Sequence, residues 1–150
     1  MPEILFSHCV NDTEYCGAAL ANSILNSPNA PRFVALYGDL GVGKTAFVRG
    51  FASVIAPNSI VRSPTFALVN EYRANPLSLF HFDMYRIQSE DDLLSIGYDD
   101  YLARKGICLV EWSEKIPYAL PENYWRVTIE KCSILSPEER KITIETITEE

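Results

Sequence analysis

The stretch RFVALYGDLGVGKTAFVRGFASVI, residues 32–55, decides how the rest of the chain is read. Its first part, RFVALYG, is a compact apolar run of strand length. It passes directly into GDLGVGKT, residues 38–45. The following TAFVRGFASVI then carries apolar residues at Phe47, Val48, Phe51 and Ile55, a helical spacing that Pro57 ends. Gly38, Gly43, Lys44 and Thr45 satisfy G-x-x-x-x-G-K-[ST] between a strand and a helix, the context that this phosphate-binding motif requires. Gly38, Gly41 and Gly43 let the backbone fold back with its N–H groups pointing inward, an anion nest that the helix N-terminus reinforces. Lys44 supplies a point charge for the β and γ phosphates, and the Thr45 hydroxyl is placed to ligate Mg²⁺.

ILFSHCV, on the N-terminal side, reads as a strand. Asp12 or Thr13 is expected to cap a helix running to about Asn26, where SPNAP stops it. On the C-terminal side, FALVNEY and LSLFHFDMY read as strands joined by RANP. Residues 89–104 read as helical, with Ser89 and Asp92 in a capping arrangement and the apolar face interrupted at Gly97. ICLVEW is a nearly all-apolar strand of the kind found when both faces of a sheet are covered. YWRVTIEKCSIL and KITIETI, joined by SPEER, read as a closing hairpin. The expected fold is α/β: a single-domain P-loop NTPase over residues 1–150, with a mixed parallel/antiparallel sheet flanked by helices.

The chain has 150 residues and a formal net charge of −7, from 13 Lys+Arg against 20 Asp+Glu. That balance argues against a broad basic face gripping phosphate backbones. With 47% hydrophobic and 22% charged residues the composition is ordinary globular, so a real core is expected. The N-terminus lacks the basic and apolar regions of a signal peptide, and no run of 18 apolar residues occurs, so the chain is read as cytoplasmic. Cys9, Cys16, Cys108 and Cys132 form no C-x-x-C pair and are read as buried free thiols.

A P-loop enzyme also needs a carboxylate at the end of a neighbouring strand to hold its metal. Two residues qualify: Glu111, ending ICLVE, and Asp83, following LSLFHF. A charge after an apolar segment is costly unless paired or metal-bound, so both remain candidates. VRSPTF, residues 61–66, lies where a switch loop often lies, and Ser63 and Thr65 are placed to touch the γ-phosphate, the metal or the attacking water. His81 has two readings, a general base or a packed or hydrogen-bonded strand histidine, and its alternation with Phe80 and Phe82 favours the second. Arg49 and Arg86 are weak candidates for stabilising a phosphoryl transition state, Arg49 reading more naturally as solvated or salt-bridged. Trp112 reads either as a stacking surface for a base or partner, or as an aromatic capping the sheet.

The ordered set GDLGVGKTAFVRGF, SPTF, HFDMYR and ICLVEWSEK resembles the TsaE family, the bacterial P-loop ATPases of tRNA threonylcarbamoyladenosine biosynthesis, over about residues 33–115. The resemblance implies a small cytoplasmic ATPase. It would assist two partner proteins, of the TsaB and TsaD type, in attaching threonylcarbamoyl to N6 of adenosine 37 in tRNAs reading ANN codons, without performing the transfer itself. It further implies ATP at the loop Gly38, Asp39, Leu40, Gly41, Val42, Gly43, Lys44 and Thr45, with Mg²⁺ held by Thr45 and Glu111. Lys44, Asp83 and Glu111 are the implied catalytic set. Thr13 matches a weaker position near the nucleotide base, and Thr65 lies in the SPT segment. Val42 stands where Ala is usual and Phe66 where Tyr is common; neither change removes a phosphate donor.

Three other classes compete. A GTP-binding switch lacks its N/T-K-x-D guanine motif here, and a small-molecule kinase has little chain left for a lid and an acceptor pocket. A non-catalytic module, in which ATP orders the 61–66 loop for a partner, differs chiefly in what Glu111 and Asp83 do.

Overall fold

The structure is a computed structural model that describes residues 2–39, 41–64 and 67–148. Seven strands form one sheet in the order β1-β7-β6-β2-β5-β4-β3. In chain order the elements are β1 (Glu3–Ser7), α1 (Val10–Leu25), β2 (Phe33–Tyr37), α2 (Lys44–Ile55), β3 (Val69–Tyr72), β4 (Ser78–Asp83), α3 (Glu90–Ser95), α4 (Tyr98–Ala103), β5 (Gly106–Glu111), β6 (Tyr124–Ser133) and β7 (Ser136–Ile147). Two short 3₁₀ turns, Ser113–Lys115 and Pro117–Ala119, lie between β5 and β6. β2 pairs in parallel with both β5 and β6, and β4 in parallel with β5. The β3–β4, β6–β7 and β1–β7 pairs are antiparallel. The centre is parallel and the margins antiparallel, the mixed sheet that was expected.

Alternation along the central strands builds two cores. Val34 and Leu36 of β2 face α1 and α2, meeting Leu20, Ile24, Phe47 and Phe51. Phe33 and Ala35 face the other way, toward Phe80, Phe82, Leu93, Tyr98 and Ile116. Every residue of β5 is buried, which explains its unbroken apolar run.

α1 and α2 approach closely because two glycines meet backbone. A Cβ on Gly50 would stand 1.8 Å from the Glu14 carbonyl oxygen, and one on Gly17 would stand 2.1 Å from that of Phe47. This crossing brings the start of α1 against the start of α2.

Four of the sequence-based expectations need correction. Neither Asp12 nor Thr13 caps α1. The helix starts at Val10 after an extended Cys9 that makes no side-chain cap bond, and the Asp12 carboxylate instead accepts the His8 N–H at 2.9 Å. The expected single helix over 89–104 is two, broken at Gly97, whose φ of 73° lies in the left-handed region; the Ser89 cap is present, its Oγ accepting from the Asp92 N–H at 3.3 Å. The closing hairpin turns at Ile134–Leu135 and not at SPEER, since Ser133 pairs with Ser136. Pro137 then falls in the register shift between the Lys131↔Arg140 and Ser133↔Ser136 pairs, where a missing N–H breaks no ladder bond. Finally, all four cysteines are free, but only Cys16 and Cys108 are buried; Cys132 sits in that irregular stretch and is exposed.

Candidate functional site

The turn between β2 and α2 has positive φ at each of its three glycines, 150° at Gly38, 77° at Gly41 and 106° at Gly43. The last two lie in the left-handed range that favours residues without a Cβ. Gly38 also passes close to β6, where a Cβ would lie 2.7 Å from the Ile129 carbonyl oxygen. α2 therefore begins with its free N–H groups facing the turn.

Lys44 is buried and folds back over the turn. Its Nζ donates to the Gly38 carbonyl at 2.6 Å and lies 3.9 Å from the centre of the Trp112 ring. Burial lowers the Lys44 pKa, although Glu111, Glu114, Asp83 and Asp39 pull the other way. Trp112 holds its ring there from a left-handed backbone, φ 59°, and packs against Tyr85 at 4.9 Å between ring centres. Trp112 is the partly buried aromatic of the second reading, packed against the second core, with the motif lysine over its ring.

Asp83 and Glu111 end adjacent parallel strands and are direct register partners. Period-two alternation sends both side chains to the same face, with His81 two residues before Asp83 joining them. His81 Nε2 and the Glu111 carboxylate are hydrogen-bonded at 2.5 Å, while the Tyr85 N–H donates to Asp83 at 2.9 Å. All three side chains are buried, and His81 Nδ1 has no hydrogen-bond partner among the described residues. His81 is thus a hydrogen-bonded strand histidine, the favoured reading. Its bond to Glu111 was legible only in part, since i, i+2 spacing relates it to Asp83 but not to a residue thirty positions away.

A cavity of about 340 Å³ opens at this strand edge, lined by Gly41, Gly43, Lys44, Thr45, Ser63, Asp83, Glu111 and Trp112. On the other side of the turn, a hollow of about 420 Å³ is lined by Gly38, Asp39, Val42 and residues 128–131 of β6. The motif residues thus divide between two hollows. Thr13 lies behind the turn, its Cγ2 3.8 Å from the position of a Gly43 Cβ. The Ser7 hydroxyl donates to the Cys9 carbonyl at 2.8 Å, so at 2.7 Å it accepts the proton of Thr13. The Thr13 hydroxyl is therefore engaged inside the protein. Arg49 pairs with Glu14 at 2.8 Å in an exposed bridge, the reading favoured for it, which contributes little stability. Leu40, Thr65 and Phe66 lie outside the described residues.

Known proteins resemble this chain in sequence and in fold. The family model described as Threonylcarbamoyl adenosine biosynthesis protein TsaE matches residues 8–142. The protein named tRNA threonylcarbamoyladenosine biosynthesis protein TsaE in Bacillus subtilis is 40% identical over 110 residues, 73% of this chain and 66% of that protein. Its namesake in Haemophilus influenzae is 45% identical over 89 residues, 59% of this chain and 56% of that protein. Another, in Rickettsia conorii, is 32% identical over 137 residues, 86% and 77% of the two chains. The matched stretch thus spans only about two thirds or less of the first two relatives. A crystal structure of Bacillus subtilis YdiB superimposes with a TM-score of 0.74 at 30% identity, covering 99% of this chain and 87% of that one. With the match running from before α1 into β7, and a solved fold to go with it, the chain belongs to the TsaE family and has a P-loop fold built on a mixed sheet.

Proposed function

We propose that this chain binds and hydrolyses ATP with Mg²⁺, as the nucleotide-driven subunit required for N6-threonylcarbamoylation of adenosine 37 in tRNAs reading ANN codons. It works with two partners of the TsaB and TsaD type and leaves the transfer itself to them. The whole chain, residues 1–150, acts as one ATPase domain in the cytoplasm, slow alone and stimulated by its partners. Contact with tRNA is weak or indirect, in keeping with the net charge of −7. Among the described residues no helix is long and apolar enough to cross a membrane.

The observation that carries this reading is the convergence of Lys44 and Thr45 with Asp83 and Glu111 around one cavity. Its donor set fits magnesium. Among the described residues, no cluster of three or more His, Cys, Asp or Glu side chains could cage a metal unaided. Magnesium characteristically takes one or two carboxylates and completes its shell with water and substrate phosphates. Thr45 and Glu111 would hold it, and when bound it would neutralise charge on the β and γ phosphate oxygens.

The chain's own residues do the rest. The turn's N–H groups and the start of α2 receive the phosphates. Lys44, already short of water, moves its charge from the Gly38 carbonyl to the γ-phosphate oxygens, where charge accumulates as the β–γ bond breaks. Asp83 orients the attacking water, and His81 fixes the rotamer of Glu111. Hydrolysis consumes one water per ATP and releases ADP and phosphate. ATP is preferred to GTP because no guanine-reading motif is present.

Isothermal titration of wild type and Lys44→Ala with MgATP tests the site. The variant is expected to lose at least tenfold in affinity, the order of one charge-assisted contact. Equal affinities would overturn the assignment of Lys44 and the cavity it lines.

A further inference from the structure

The Arg140 guanidinium joins the C-terminal hairpin to the phosphate-binding turn. It sits on β7, opposite Ser7 of β1 and Lys131 of β6, and is half-buried. Its Nη1 donates to the carbonyls of Pro137 at 2.6 Å and Glu139 at 3.0 Å, which anchors the group to its own strand. Its Nε donates across the sheet edge to the Val42 carbonyl at 2.8 Å. The two residues are 98 positions apart in sequence, so nothing local requires this contact.

The contact matters because of peptide geometry. In a trans peptide the C=O and the following N–H point in opposite directions. A Val42 carbonyl held toward Arg140 therefore sends the Gly43 N–H the other way. The lining residues agree: Val42 borders the hollow beside β6, whereas Gly43 borders the cavity shared by Lys44, Thr45 and Glu111. Glycine makes this peptide plane easy to turn. Gly43, at φ 106°, has no side chain to resist rotation of the peptide plane that it shares with Val42. A rotated Val42–Gly43 unit would present a carbonyl oxygen where an anion is meant to bind, replacing a donor by a repelling acceptor.

We propose that Arg140 is a positioning residue for the nucleotide site, clamping the Val42 carbonyl outward so that the Gly43 N–H is aimed at bound phosphate. The role rests on the reading of the turn as the ATP site. It assigns a function to the C-terminal hairpin, which otherwise contributes only sheet to this region. Arg suits the task because it stays charged at all working pH and has donors to spare for both its own strand and the turn.

The test is MgATP and inorganic pyrophosphate affinity of the full chain for wild type, Arg140→Ala, Arg140→Gln and Arg140→Lys, measured well below each variant's melting temperature. The Gly43 amide resonance is followed in parallel by ¹⁵N-correlated NMR. Loss of one charge-assisted bond predicts that Arg140→Ala binds both ligands about tenfold more weakly. Arg140→Lys is expected to recover part of the affinity, and the pyrophosphate-induced shift of the Gly43 amide to shrink in Arg140→Ala. A merely structural role would lower the melting temperature and leave these readouts unchanged. If Arg140→Ala does not fold, Arg140→Gln decides: wild-type affinity and an unchanged Gly43 shift in a folded variant would overturn the proposal. Failure of the wild type to bind MgATP would instead overturn the ATP reading, and the Arg140 role with it.

Discussion

Glu111 is fixed through side chain and backbone together: His81 bonds its carboxylate, and its own carbonyl accepts the Met84 N–H at 3.0 Å. A carboxylate so restrained keeps its position while its charge is altered, so Glu111→Gln separates charge from shape. That variant is expected to hydrolyse ATP about a hundredfold more slowly, the order seen when one preorganised electrostatic group is lost. Its nucleotide affinity, read by titration, should stay within about threefold of wild type, because the proposed phosphate contacts belong to the turn and Lys44. Hydrolysis at the wild-type rate would remove Glu111 from the catalytic set. At this scale the sequence was most informative where chemistry is local. Gly38, Gly43, Lys44 and Thr45 form one short motif whose spacing is itself the signal. Asp83 and Glu111 were both legible as candidates, but nothing along the chain says that β4 and β5 are neighbours in matching register. The positions of Lys44 over Trp112 and of Arg140 on Val42 depend on long-range contacts and leave no trace in spacing.

Among the elements, the α1–α2 crossing sets the relation between the turn and what lies behind it. Alanine at Gly50 would favour the isolated helix by about 0.5–1 kcal/mol. Against that, its Cβ would stand 1.8 Å from a backbone oxygen of α1, which no side-chain rotation relieves. Overpacking of this kind costs about 1–3 kcal/mol and sometimes more, and here the neighbour is backbone, so the clash wins. Gly50→Ala is expected to lower the urea midpoint by a net loss of about 1–2 kcal/mol. An unchanged or higher midpoint would mean that the helices separate freely. The elements themselves were largely readable from apolar periodicity, because each buries one definite face. Their ends were not. α1 begins earlier than its polar residues suggested, since Thr13 bonds to Ser7 inside the protein instead of capping the helix. The hairpin turn follows strand register and not composition, which is how Ile134 and Leu135 come to occupy its exposed tip.

For the whole molecule, the parallel centre of the sheet brings β2, β4 and β5 to a common C-terminal edge, the position where open α/β sheets bind ligands. The fold class was legible because a phosphate-binding motif between strand and helix presupposes such a sheet. The full strand order was not, because β6 inserts beside β2 from the far end of the chain. That insertion places the C-terminal hairpin against the turn and divides the motif residues between two hollows. The most direct test is ATP turnover by the purified chain with and without magnesium, alone and with the two proposed partners of the TsaB and TsaD type. Glu111→Gln serves as the control. Slow magnesium-dependent turnover that rises when the partners are added and collapses in the variant is the expected result. Turnover that ignores magnesium and the partners, or persists in Glu111→Gln, would contradict it.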